Sequence, residues 1–199
     1  MSKDPSKVRV ALTGSVWYDK NLSASIVTDI TVAPTATAVN LGYTTPDGVT
    51  FTVARNVIDI DGWQTPDALR KLVDSEPRSC AFVLRQTERD LWLATMGGTV
   101  TELAAAVVGP PAKAAVYEWV PNEGKLPEGM IFVDFDDELP NGTAVRYRFG
   151  FRRAAQSEAV EFNLRRTDAV NLPNNWSALA VASGSAFFMR TNDPAFAPA

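Results

Sequence analysis

Ser79–Gly98 reads SCAFVLRQTERDLWLATMGG and joins one strand directly to one helix. Cys80, Phe82 and Leu84 alternate with Ala81, Val83 and Arg85. Apolar residues on both parities predict a strand buried on both faces. Thr87 stands as a helix N-cap, with Asp90 three residues on in the capping-box position and Glu88 in the positively polarised first turn. Leu91, Trp92, Leu93 and Met96 supply an apolar side, and Gly97-Gly98 ends the helix where a left-handed residue is wanted. The predicted helix therefore spans about Thr87–Met96. It is the clearest helix in a chain otherwise written in short alternating runs, and a lone amphipathic helix needs a sheet to lie against.

On the N-terminal side, Val8–Tyr18 reads as a first strand, with Gly14 marking a bulge or bend. Asp19–Asn40 changes to Ser, Thr, Ala and Asn with little periodicity, the pattern of a long irregular connection. Asn40–Val53 carries a turn signal, Pro46-Asp47-Gly48, between two strand-like pieces. In Ala54–Arg78, Val57, Ile58 and Ile60 look like strand and Asp61-Gly62 like a tight turn. Thr65-Pro66-Asp67 before Leu69, Leu72 and Val73 has helix-start chemistry, so local signals favour a short helix there.

On the C-terminal side, Thr99–Pro111 is small and apolar and ends in Gly109-Pro110-Pro111. Strands are expected at Ala114–Val120 and Met130–Phe135. The acidic run Asp134, Asp136, Asp137 and Glu138 follows, and Pro140-Asn141-Gly142 turns the chain. Thr143–Arg153 alternates cleanly. Val145, Tyr147, Phe149 and Phe151 take one face, and Arg146, Arg148 and Arg152 take the other. Val160, Phe162 and Leu164 repeat the pattern against Glu161, Asn163 and Arg165. Leu179–Arg190 reads as a strand pair or one bent strand, and Asn192–Ala199 as a frayed tail. Many short alternating strands with one good helix predict an antiparallel sandwich or barrel, mostly β.

Composition narrows the chemistry. The 199 residues favour one domain, and 46% apolar residues suffice for a core. A formal charge of −4 argues against a dedicated nucleic-acid binder. The start, MSKDPSKVRV, has no apolar core of a secretory signal, and no run reaches the length that would span a membrane as a helix. Histidine is absent, which removes Ser-His-Asp and Cys-His catalysis and histidine zinc sites together. The single cysteine, Cys80, cannot form an intrachain disulfide and reads as a small core hydrophobe. No cofactor loop of the common glycine-rich spacings occurs.

Two clusters rise above background. Asp134–Glu138 holds enough carboxylates for glycoside hydrolysis or calcium binding, but lacks a calcium loop's spacing and glycine. A solvated edge, or a partner for nearby arginines, explains it better. Arg146, Arg148, Arg152 and Arg165 form a stripe on the outward parity. The aromatics that a DNA-reading surface would interleave lie on the opposite parity, so a solvated or interface face is expected. The five tryptophans, Trp17, Trp63, Trp92, Trp119 and Trp176, share no periodic face and suit core or interface packing.

The order of motifs then carries a resemblance. KVRVALTGSVWYDK, NLGYTTPDGVTF, GWQ and CAFVLRQTERDLWL, followed by YEWVPNEGKLPEGMIF and NLPNNWSALAVASGSAFFMR, resemble the major tail (tail tube) proteins of long-tailed bacteriophages. The likeness is greatest to those of phages infecting actinobacteria. It implies a β-barrel-like sandwich flanked by one helix, hexameric rings stacked into a tube, and transient passage of DNA through the lumen. It implies one tail-tube domain over 1–199, with an irregular arm at 19–40 that orders on assembly. Val53–Arg78 becomes a protruding loop or hairpin that reaches neighbouring subunits, and the Thr65–Val73 piece becomes extended strand. Implied partners are other copies of the chain, the tail tip or baseplate, the tail terminator and the tape-measure protein, in a virion assembled in the host cytoplasm. No catalytic residue, cofactor or metal ligand carries over.

The candidate contacts between subunits are Asp59, Ile60 and Trp63 in the excursion, with Asp134, Asp136, Arg146, Arg148 and Arg152 on the strands. A non-polymerising head-tail joining ring, or a glycan-binding or glycan-cleaving sandwich using Asp134–Glu138, stays open as an alternative.

Overall fold

The computed structural model describes residues 7–157, 160–162, 164–167 and 169–197. In chain order the elements are β1 (Thr13–Asp19), β2 (Val39–Asn40), β3 (Thr44–Val53), β4 (Asn56–Gly62), β5 (Thr65–Ser75) and β6 (Arg78–Leu84). Then come α1 (Arg89–Met96), β7 (Thr99–Ala104), β8 (Val116–Val120), β9 (Glu128–Glu138), β10 (Ala144–Gln156), β11 (Leu172–Ala178) and β12 (Phe187–Thr191). The main sheet runs β2-β1-β9-β10-β11-β6-β3, with β12 also on β10, and β4-β5 and β7-β8 form separate two-stranded ribbons. Every pairing is antiparallel.

β10 is the strand that bends this sheet. One edge follows β9 along its length, while the other holds β12 over Tyr147–Phe151 and β11 over Ala154–Gln156. The register against β9 shifts between Phe151 and Ala154, a bulge that turns the strand from one half to the other. The first and last strands of the order, β2 and β3, are joined by Leu41–Tyr43 alone, so the sheet must curl until its ends are neighbours. The Leu41 N–H donates to Val16 O at 2.8 Å and the Arg85 N–H to Tyr43 O at 2.9 Å, which pins the connection on both sides. No ladder joins β1 or β2 to β3, so the fold is a mostly antiparallel β-sandwich and not a closed barrel.

Inside the curl, Val16, Phe82, Leu84, Ile131, Phe151 and Trp176 form one core with Leu91 and Ala94 of α1. Trp176 is fully buried, and its indole N–H is met by Asn174 Oδ1 at 3.2 Å. Its strand, β11, was not expected from LPNNWSA, because Pro and Asn are poor strand formers. Pro173 is tolerated near the strand's start, where β10 does not reach. Of Leu179–Arg190, only Phe187–Arg190 is strand, in β12: β11 ends at Ala178 and a loop follows up to Phe187.

Other expectations are corrected by pairing. β6 buries Cys80, Phe82 and Leu84 but leaves Ala81 exposed and Val83 half-buried, so it is one-faced. Thr65–Val73 is strand, as the family resemblance implies and the local signals do not, because Val57 opposite Val73 and Ile58 opposite Leu72 outweigh its helix-start chemistry. The turn of that hairpin is Trp63-Gln64, one step beyond Asp61-Gly62. Pro46-Asp47-Gly48 does not separate two strands but bulges out of β3 between Thr44 and Val49. Val8–Leu12 is not strand, and neither are 160–162 and 164–165; Asn163 lies outside the described residues. α1 starts at Arg89 with Glu88 as N-cap, and no side chain caps it.

Gly97-Gly98 ends the helix as expected, with φ of 68° and 94°. A Cβ on Gly98 would lie 2.3 Å from Val120 O, so this glycine also lets the β7-β8 ribbon close in. Trp119 on that ribbon donates to Gly97 O at 2.8 Å and meets Trp92 edge-on at 5.8 Å. Trp17 and Trp176 lie on sheet strands and Trp63 at a ribbon turn, so the tryptophans serve separate packing sites.

The C-terminal segment through Ala197 is not frayed. Asp193 accepts two bonds from the Arg9 guanidinium, at 2.6 and 3.0 Å, and one from the Tyr147 hydroxyl. Arg9, and then Tyr147, hold this carboxyl well below the usual carboxylate range. Because the folded value lies below the unfolded one, about 3.9, the clip contributes fully above about pH 4. It is lost as pH falls through the folded value. Asp193→Asn should therefore lower the denaturant midpoint at neutral pH, and its deficit against the unsubstituted protein should shrink as the titration is carried below about pH 4.

Burial pushes the Cys80 thiol up to about 12. A thiol so protonated is a poor nucleophile. Cys80 should stay unlabelled by a disulfide reagent in native protein at neutral pH and react fully once denaturant unfolds the sheet.

Candidate assembly surfaces

Of the stripe expected to form a solvated or interface face, Arg148 is covered, Arg146 and Arg152 are half-buried, and Arg165 is exposed outside any strand. Across β9, β10 and β12 the registers align Asp136 with Arg146, then Asp134 with Arg148 and Arg190, then Phe132 with Gly150 and Phe188. Arg148 is 0% exposed and Asp134 3%. Arg148 Nε and Nη2 donate to the two Asp134 oxygens, each at 2.7 Å. Its other donor positions take backbone carbonyls: Val32 O at 2.7 Å, Ile30 O at 3.2 Å and Asp29 O at 3.3 Å. Arg146 binds Asp136 at 2.5 and 2.8 Å and Ile30 O at 3.2 Å, while Arg190 donates to Val27 O.

A strap formed by residues 27–34 thus lies on the outer face of the subunit's own sheet. The Val27 N–H closes it onto Pro34 O at 2.9 Å. Buried Asp19 anchors the following stretch through the Thr35 hydroxyl, the Thr37 hydroxyl at 2.7 Å and the Asn21 N–H at 2.8 Å. The sequence carried no sign of this, since the strap binds through carbonyls that every residue possesses. Arg152 differs from its neighbours: its guanidinium stands 4.8 Å from the centre of the Phe188 ring, as does that of Arg190.

Asp134 and Arg148 are therefore brought together inside the subunit, Asp136 and Arg146 at its half-exposed rim. Asp59, Ile60 and Trp63 lie apart on the β4-β5 ribbon. There Val57–Val73 and Asp59–Lys71 share one face, and Ile58–Leu72 and Ile60–Arg70 share the other. Lys71 Nζ reaches both Asp59 oxygens at 2.8 Å. Apolar side chains stand exposed on both faces, and Trp63 at the turn is 99% exposed. An isolated two-stranded ribbon is marginal in water, and this one has apolar surface that nothing in the subunit covers.

The β7-β8 ribbon forms a second such surface, with Leu103, Val116, Tyr117 and Val120 exposed. Between it and α1 runs a groove of about 440 Å³ lined by Thr87, Glu88, Arg89, Trp92, Val100 and Tyr117. Nothing in the sequence marks this groove, because Thr99–Pro111 reads only as a small apolar stretch. Among the described residues, no group of three acidic or cysteine side chains is placed to hold a metal ion.

Replacing Arg148 by Met strands the buried Asp134 charge and should cost the subunit roughly 3–5 kcal/mol in denaturant unfolding. Lys at the same position should recover only part, because one ammonium cannot serve a bidentate carboxylate and the strap carbonyls together. Both variants should open 27–34 to limited proteolysis before the sheet unfolds.

A protein-family model described as phage tail tube protein matches residues 1–199. No curated protein matches the chain. The match covers the whole chain, and the chain belongs to the phage tail tube protein family.

Proposed function

We propose that this structural tail tube subunit closes into hexameric rings that stack into the tube through which DNA passes during ejection. The observation that carries the reading is the β4-β5 ribbon, whose exposed apolar residues on both faces call for cover from other copies. Ring closure needs self-complementary surfaces, and stacking needs a second set. The two ribbons supply candidates for both. A net charge of −4 per subunit favours a lumen wall that repels phosphate, while Arg146 and Arg148 of the arginine stripe are paired with carboxylates within each subunit.

The role is geometric and not enzymatic. Of the acidic run, Asp134 and Asp136 are engaged by arginines, and Asp137 accepts the Val10 N–H at 3.1 Å. The partners are other copies of the chain, then the tail tip or baseplate, the tail terminator and the tape-measure protein, with assembly in the host cytoplasm. We propose, on the motif order quoted above, that the chain's relatives are those of phages infecting actinobacteria. Of the candidate contacts, Ile60 and Trp63 are the most available to a neighbour. Asp136, Arg146 and Arg152 lie at a half-exposed rim, and Asp134 and Arg148 act from inside by holding the strap.

Negative-stain electron microscopy of the purified protein tests the reading. Long tubes are expected; single rings would favour a joining protein, and monomers with glycan turnover would favour the hydrolase alternative. Replacing residues 57–73 by a short Gly-Ser turn should leave the core folded and abolish tubes, since the ribbon pairs with none of the main sheet.

A further inference from the structure

Gly150, in the middle of β10, stands opposite Phe188 of β12. A Cβ there would lie 2.4 Å from Phe188 Cζ, so the missing side chain is what lets the phenyl ring settle over β10. Two arginines converge on that ring. Arg190 stands opposite Arg148, and Arg152 lies four residues further along β10, so Phe188 sits between them. Both guanidinium carbons are 4.8 Å from the ring centre. Among the described residues no carboxylate forms an ion pair with either, although Arg146, Arg148 and Arg153 each have one. Asp29 lines a cleft with Arg190, but it accepts instead the Thr31 N–H at 2.8 Å and the Thr31 hydroxyl at 2.7 Å.

Two like charges held against one ring repel each other. Burial, and then the nearby Arg152 and Arg148, draw the Arg190 pKa down. The ring attracts each cation through its quadrupole but carries no net charge, so it cannot balance the pair. Guanidinium forks match the oxygens of carboxylates and phosphates. A carboxylate supplies one negative charge, and each phosphate of a DNA backbone also supplies one. A phosphate monoester above its second pKa, about 6, supplies nearly two, and inorganic phosphate behaves alike. We propose that Arg152 and Arg190, with Phe188 between them, bind a phosphate dianion, either free or as a monoester. The same charge rule selects against a DNA backbone. Arg190 also donates to Val27 O, so an anion seated on it tightens that end of the strap.

Calorimetric titration of the full chain with inorganic phosphate, at about pH 7.5 and constant ionic strength, tests the site. Saturable binding is expected, and neither acetate nor a short DNA duplex at equal anion concentration should displace it. Arg152→Met should weaken binding at least about tenfold, because a charge-assisted contact is lost, and Arg152→Lys should weaken it less. Among the described residues the Arg152 guanidinium has no hydrogen-bond partner, so these variants should keep the fold. Arg165→Met, which removes an equal charge from an exposed position outside any strand, should leave binding unchanged. Phosphate should also slow proteolysis at 27–34 in the unsubstituted protein and not in Arg152→Met. No saturable binding, or equal binding by Arg152→Met, overturns the site. Displacement by acetate or by DNA overturns the dianion assignment.

Discussion

The buried ion pair of Arg148 and Asp134 is the contact on which the outer face of this subunit depends. Removing two charges from water is costly, and their attraction alone often fails to repay it. Here the guanidinium also donates to three carbonyls of the 27–34 strap, so both charges and an irregular stretch of backbone are satisfied at once. A strap without secondary structure would otherwise leave its polar backbone against a sheet with no partner. The pair therefore does more than stabilise two strands: it fixes which face of the sheet the arm covers.

That arrangement changes how the arm is understood. Weak periodicity in Asp19–Asn40 suggests a segment too poor in burial to order by itself. In the subunit it is held at one side by Arg146, Arg148 and Arg190 and at the other by Asp19 with Thr35 and Thr37. The charged anchors, Asp19, Arg146, Arg148 and Arg190, all sit on β1, β10 and β12 of the main sheet. Order is thus supplied by charge-assisted hydrogen bonds rather than by apolar burial.

The ribbons have the opposite character. The main sheet has a core to close over, whereas β4-β5 and β7-β8 are each paired only internally and carry exposed apolar side chains. These are the surfaces proposed above to be covered by other copies of the subunit. Unlike surfaces of this kind make heterologous contacts, which close into a ring or continue as a filament according to the rotation between copies.

Much of the fold was legible in the sequence. The alternation of Val145, Tyr147 and Phe151 fixed β10, Gly97-Gly98 fixed the end of α1, and Pro140-Asn141-Gly142 fixed the β9-β10 turn, because these are local signals with local causes. The absence of histidine and the single cysteine close off whole classes of chemistry from the sequence alone. Tertiary structure alone decided the rest. Thr65–Val73 became strand because β4 offered it partners, and LPNNWSA became β11 because Trp176 fills the core between β6 and β10. Alternation could say that Arg148 faced away from the aromatics, but not that a strap would cover it. Carbonyl acceptors belong to every residue and leave no mark in a sequence, so which segment satisfies a buried arginine is settled only when the chain folds.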